Sequence, residues 1–133
     1  FRPVIGDDDV DATQVERVSV CSGKVYWELV AERAKREEGQ SRTAIVRLEQ
    51  VYPRPVEQLR EEVARFTNAT EVRWVQEEPA NQGPWPHVAM HFTGQLGSLP
   101  LLRVSRPESS TTAVGSHSRP VEGQQTLMAQ AFS

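Results

Sequence analysis

The sequence predicts an α/β fold in which a largely parallel sheet is covered by helices on both faces. Three observations carry that expectation. Short runs rich in β-branched and aromatic residues recur: "RVSVC" (17–21), "RTAIVRL" (42–48), "EVRWV" (71–75) and "LLRVS" (101–105). Between them lie stretches whose apolar residues fall at helical spacing. Glycine and proline punctuate the joins. A strand that returns through a helix to another strand does so by a crossover, which sets the two strands parallel.

Taken in order, residues 1–16 read as an arm from a preceding domain, and 17–133 as the α/β domain itself. "FRPVI" suits the last strand of something upstream, and "GDDDVDAT" a solvated acidic linker. Residues 22–38 form a helix with Ser22 as N-cap and Gly39 closing it. After the strand at 42–48, Pro53 and Pro55 stop and restart the chain, Pro55 suiting a first helical position. Val56, Leu59, Val63 and Phe66 then make one apolar helix face. A weaker helix follows Pro84 to about Phe92. The last helix, 120–132, offers Val121, Leu127, Met128 and Ala131 to the core.

With 133 residues the chain is the size of one domain and can bury a core without staples. Its net charge of −3 argues against nucleic acid or an anionic membrane as partner, because no basic excess exists to neutralise phosphates. No apolar run approaches the ~20 residues of a membrane helix. Cys21, the single cysteine, excludes an internal disulfide and fits a reducing compartment. Phe1 in place of methionine reads as the start of a fragment or a processed chain.

Parallel strands deliver the loops after them to one rim, where ligands of open α/β sheets lie. That rim should collect "CSGK" (21–24), "EQVYP" (49–53), "EEPANQG" (77–83) and "SRPESS" (105–110). Ser22, Gly23 and Lys24 could cradle an anion through helix-start N–H groups, a permissive glycine and a cation; an N-cap with an exposed lysine is the plain alternative. Glu77 and Glu78 would face opposite sides for as long as the strand continues, so they could not form a catalytic pair there. Asn81, Gln82 and Gly83 suit a tight loop, and Trp85 at its exit is of the type enriched at interfaces. Glu77, Glu78, Asn81, Gln82, Gly83 and Trp85 are therefore assigned to an interface loop.

Three further patterns are set aside. Cys21 could be a thiolate at a helix start, but it reads better as a small buried strand residue. Asp7, Asp9 and Asp11 alternate as in a calcium loop, yet Ala12 and Val18 stand where its glycine and glutamate belong. His87 and His91 are spaced like zinc ligands, without the glutamate of H-E-x-x-H or a third ligand. No metal and no catalytic residue is assigned.

"CSGKVYWEL", "AIVRLEQVYP", "VQEEPANQGPW" and "VEGQQTLMAQAF" together resemble, in order and spacing, one family. It is the C-terminal domain of the thiamine-dependent decarboxylating component of 2-oxoglutarate dehydrogenase, including the actinobacterial decarboxylase that also makes 2-hydroxy-3-oxoadipate. The resemblance runs from about Val15 to Phe132. It implies a transketolase-like C-terminal domain with a five-stranded, mostly parallel sheet and one antiparallel strand. It also implies thiamine diphosphate and Mg2+ in the full-length enzyme, held by a G-D-G…N motif that this chain lacks, so the isolated chain should be inactive. The implied partners are the chain's own upstream domains, the second subunit of a homodimer and a lipoyl-bearing succinyltransferase, in the bacterial cytoplasm or the mitochondrial matrix. The resemblance to actinobacterial members further implies an acetyl-CoA site that includes the glutamine matching Gln50; a strand-end amide bonding a turn is the plain alternative. Here Val56, Glu57 and Gln58 replace the site's following arginines, and Arg54 and Arg60 are the nearest cations.

Two functions are open at this point. One is a support domain whose 77–85 loop packs on other domains, exposing an apolar patch around Trp85 when cut loose. The other is a free-standing module binding CoA or a nucleotide at 22–24.

Overall fold

Alternation along the strands sorts their side chains onto two faces, and each face acquires its own core. The computed structural model describes residues 4–36, 42–49, 55–106 and 120–132, with the side chains of 120–122 excepted. The elements are β1 (Val4–Ile5), β2 (Arg17–Cys21), α1 (Val25–Lys35), β3 (Thr43–Leu48), α2 (Val56–Ala64), β4 (Glu71–Pro79), α3 (Trp85–Phe92), β5 (Leu101–Arg106) and α4 (Pro120–Ala131). They form a five-stranded sheet in the order β1-β3-β2-β4-β5. β3, β2, β4 and β5 are parallel neighbours, and β1 runs antiparallel to β3. The mostly parallel α/β fold expected from the sequence is the one observed.

Val18, Val20, Ala44, Val46, Val72 and Trp74 point to one face. They meet Leu59, Val63 and Phe66 at α2 and Val88 and Phe92 of α3. Cys21, Ile45, Val75 and Val104 point to the other, against Val25 and Leu29 of α1 and Leu127, Met128 and Ala131 of α4. Burying each such large aliphatic side chain contributes about 1.5–3 kcal/mol. The apolar stripe read along Val56–Phe66 faces its core, as does the inward face of α4 at Leu127, Met128 and Ala131. Val121 lies outside the described side chains.

Four local expectations are corrected. α1 begins at Val25, not Ser22, and Lys24 occupies its N-cap without a capping side chain. Gly23 turns the chain there with φ +72, so Ser22 belongs to the turn. β4 continues past Val75 to Pro79, which places Glu77 and Glu78 in the strand. Of "FRPVI", Val4 and Ile5 supply an edge strand to this sheet, Val4 opposing Leu48 and Ile5 opposing Arg47. "GDDDVDAT" is not wholly solvated: Asp7 is 5% exposed and paired with Arg33. Gly39, the expected end of the first helix, lies outside the described residues, and α1 ends at Lys35.

A candidate cleft at the carboxyl rim

The sheet order creates a crevice by itself. From β2 the chain steps to β3 on one side, then crosses to β4 on the other. The helix after β2 covers one face and the helix after β4 covers the opposite face, as the two cores show. Their starting loops diverge, and the gap between them is the switch point at which open α/β sheets hold ligands. A cavity of about 240 Å³ lies there, lined by Ser22–Val25, Trp74–Glu78 and Pro84. The sequence grouped these loops on one rim, but the sheet order that makes a cleft between two of them was not legible in it.

Gln76 builds the far wall of the cleft. Its alternation places it on the same face as Val72 and Trp74, where it is 2% exposed. Its carbonyl accepts Trp74 Nε1–H (2.9 Å) and the Trp85 backbone N–H (2.8 Å). Its amide nitrogen donates to the carbonyls of Glu78 (3.0 Å), Pro79 (2.9 Å) and Gln82 (2.8 Å). A buried amide must be satisfied, and this one is, on both ends. One side chain thus folds the strand end, the loop and the first turn of α3 onto each other. The sequence reading passed over it; the signal was a polar residue continuing the apolar phase of "VRWVQ".

The near wall is charged. Lys24 Nζ lies 3.2 Å from Glu77 and 3.6 Å from Glu28. Its ammonium is held above its usual range by the Glu77 hydrogen bond and charge, then by Glu28. Glu28 is raised, first by burial and then by the Glu77 carboxylate, against the lowering effect of Lys24. Glu28 also accepts from Gln124 of α4, whose amide oxygen takes Arg106 Nη2 at 2.8 Å. Glu78 points away from this cluster, toward Gly83. Gly83 has φ +65, a conformation that favours glycine, and a Cβ there would also crowd the Glu78 side chain, 2.8 Å from its Cδ.

The other expected residues fall as follows. Ser22, Gly23 and Lys24 line the cleft, but Lys24 is already engaged by the Glu77 and Glu28 carboxylates. The Tyr26 and Trp27 N–H groups turn back to Gly23 and Lys24 carbonyls. That balance opposes an anion. Asn81, Gln82 and Gly83 are solvent-facing, whereas Trp85 is half-buried against the α2/α3 core. Among the described residues the exposed large apolar side chains are Trp27 (60%), Met90 (76%) and Leu102, and Trp85 is not one of them. Trp27 sits beside Arg47, whose guanidinium is 5.4 Å from its ring and 5.2 Å from that of Tyr26. Gln50 and Arg54 lie outside the described residues. Cys21 is buried, donates weakly to the Val46 carbonyl at 3.8 Å, and has its thiol pushed up to about 12 by burial. It is a core residue. The His87 and His91 rings lie 4.3 Å apart, tilted at 52°, and among the described residues no three His, Cys, Asp or Glu side chains form a metal site. No helix among those residues is long and apolar enough to cross a membrane.

This architecture is that of a transketolase-type C-terminal domain. A solved chain described as "Split gene transketolase, inactive beta4 tetramer" superposes with a TM-score of 0.67 at 12% identity, over 98% of this chain and 42% of that one, which shows the fold. The family described as "2-oxoglutarate dehydrogenase C-terminal" matches residues 1–132, and the chain belongs to it. It is 40% identical over 133 residues to a "2-oxoadipate dehydrogenase complex component E1" of Danio rerio, covering 100% of this chain and 14% of that protein. The "2-oxoglutarate dehydrogenase E1 component" of Cupriavidus necator is 40% identical over 135 residues, again covering 100% and 14%. A "2-oxoglutarate dehydrogenase E1/E2 component" of Corynebacterium glutamicum is 44% identical over 117 residues, covering 86% of this chain and 9% of that protein. The chain therefore spans about one seventh of the first two relatives.

Proposed function

We propose that this chain serves as the assembly domain of a thiamine diphosphate-dependent 2-oxoglutarate dehydrogenase component, which decarboxylates 2-oxoglutarate in the citric acid cycle. The match of the family over residues 1–132 carries the reading. The full-length enzyme is a cytoplasmic homodimer that passes its succinyl group to a lipoyl-bearing succinyltransferase. Thiamine diphosphate and Mg2+ sit on the upstream domains. The residues here do not fit that group: the cleft lysine is engaged by Glu77 and Glu28, and no acidic cluster among the described residues suits a metal. This domain's part is to present its rim to neighbouring polypeptide. The solvent-facing amides Asn81 and Gln82, stapled from behind by Gln76, support that role, as do exposed Trp27 and Met90.

Two measurements on the full-length enzyme test the reading. It should release CO2 from 2-oxoglutarate with thiamine diphosphate and Mg2+, and the 133-residue chain alone should not. Asn81→Trp places bulk on an exposed loop, so the domain should keep its fold while the dimer fraction in analytical ultracentrifugation falls. Unchanged association would refute an interface at 77–85. Anion binding at Ser22–Lys24 is the other reading; a thermal shift with CoA that Lys24→Ala abolishes would favour it.

A further inference from the structure

The outer edge of β3 is closed by side chains as well as by a strand. On its inner side β3 bonds β2, and Arg42 just before it accepts from Glu16 and Arg17 at 2.8 and 3.1 Å. Alternate residues turn their backbone groups to the outer side. At Arg47 and Leu48 that side is met by β1, which is only two residues long. Beyond β1 no strand among the described residues pairs with this edge. There the Ile45 N–H donates to Asp7 Oδ2 at 2.8 Å, and the Thr43 carbonyl accepts from Arg33 Nη1 at 3.0 Å. One carboxylate and one guanidinium supply the acceptor and donor that a further strand would have offered. The two groups bond each other, and Asp7 Oδ1 also takes the Asp9 N–H at 3.0 Å.

Both side chains are buried, Asp7 5% and Arg33 6% exposed. A buried ion pair repays its desolvation poorly, so stability alone is a weak reason for one. Satisfying an edge is a stronger reason. An uncovered strand is a template for a second chain, and "TAIVRL" is β-branched with a single charge.

We propose that Asp7 and Arg33 form a lock that closes the β3 edge, with residues 4–9 as the strap it fastens, and that unlocking opens this edge to strand addition by a second copy of the chain. The inference stands on the geometry of this domain and does not require the function proposed above.

Hydrogen exchange on the full-length protein carrying Asp7→Ala tests it. Segments 4–9 and 43–48 should exchange at least tenfold faster, while 71–76 at the sheet centre stays within about twofold of wild type. The variant should also form larger species than the wild type does as concentration rises. Retained protection at 43–48 would overturn the lock. So would equal acceleration of all three segments, which makes the pair a general support. Faster exchange at 43–48 without association would overturn the strand-addition half. Should Asp7→Ala not accumulate folded, Asp7→Asn keeps an acceptor for Ile45 but removes the charge facing Arg33. It should give the same order of segments with smaller changes, and no change at 43–48 would again overturn the proposal.

Discussion

A carboxylate in place of the Gln76 amide would keep the shape of the side chain and reverse its chemistry. The three carbonyls that now receive N–H groups would face an acceptor, and the glutamate would be buried with no cation among its partners. Gln76→Glu should cost about 3 kcal/mol at pH 7, read from the denaturant midpoint. The sign with pH follows. The buried acid has a folded pKa above its unfolded value near ~4.3, so the deficit is small below that pH and grows as pH rises through the folded pKa. A deficit independent of pH would contradict the assignment of the nitrogen and oxygen ends of Gln76. At this scale the sequence was half legible. It marked Gly83 and the amides around it as a tight loop, and it read Cys21 as a core residue, since those follow from local chemistry. It did not mark Gln76 or Arg33, and it read Asp7 as part of a solvated linker, because their partners lie in other elements or across a turn.

At the scale of elements, the strands and helices were legible where hydrophobic period decided them, and their ends were misread where turn chemistry competed. Ser22 looks like an N-cap, but Gly23 at φ +72 moves the helix start onward to Val25. "EEP" looks like the start of a loop, yet pairing with β5 resumes at Pro79, opposite Arg106, and carries β4 that far. The start of α1 also holds a testable charge cluster. Glu28 is raised by burial and by Glu77, so its ionised form is the disfavoured one in the folded state. Such a group takes stability away as pH rises from its unfolded value of 4.5 through the folded one. Glu28→Gln keeps an acceptor for Gln124 and removes that loss. The variant should melt slightly above wild type at pH 7 and level with it at pH 3; the margin should stay under about 1 kcal/mol, because the site is partly solvated. A variant less stable at pH 7 would mean that the attraction of Lys24 outweighs both burial and Glu77.

For the whole molecule, the parallel arrangement was legible because strands alternate with crossover helices, and that alone gathers 21–24 and 77–83 on one border. The strand order was not, because nothing local tells the third parallel strand to cross β2 and settle on its far side. Tryptophan placement shows the same limit. Trp85 was read as an outward-facing residue, but α3 turns it onto the core, while Trp27 is left outside. The two should separate experimentally. Trp85→Ala should lower the stability of the domain by about 2 kcal/mol, and Trp27→Ala should change it by less than about 0.5 kcal/mol, both read by chemical unfolding. Equal losses would mean that Trp27 is covered in the folded protein.

One consequence of the Gln76 staple concerns detection. The same carbonyl oxygen that receives the loop receives the indole of Trp74, in the dry interior of the sheet. Anything that tugs on Asn81 or Gln82 from outside therefore disturbs the hydrogen bond of a buried chromophore. The molecule carries its own fluorescent gauge of engagement at that border, readable without an attached dye once Trp27 and Trp85 are silenced as phenylalanine.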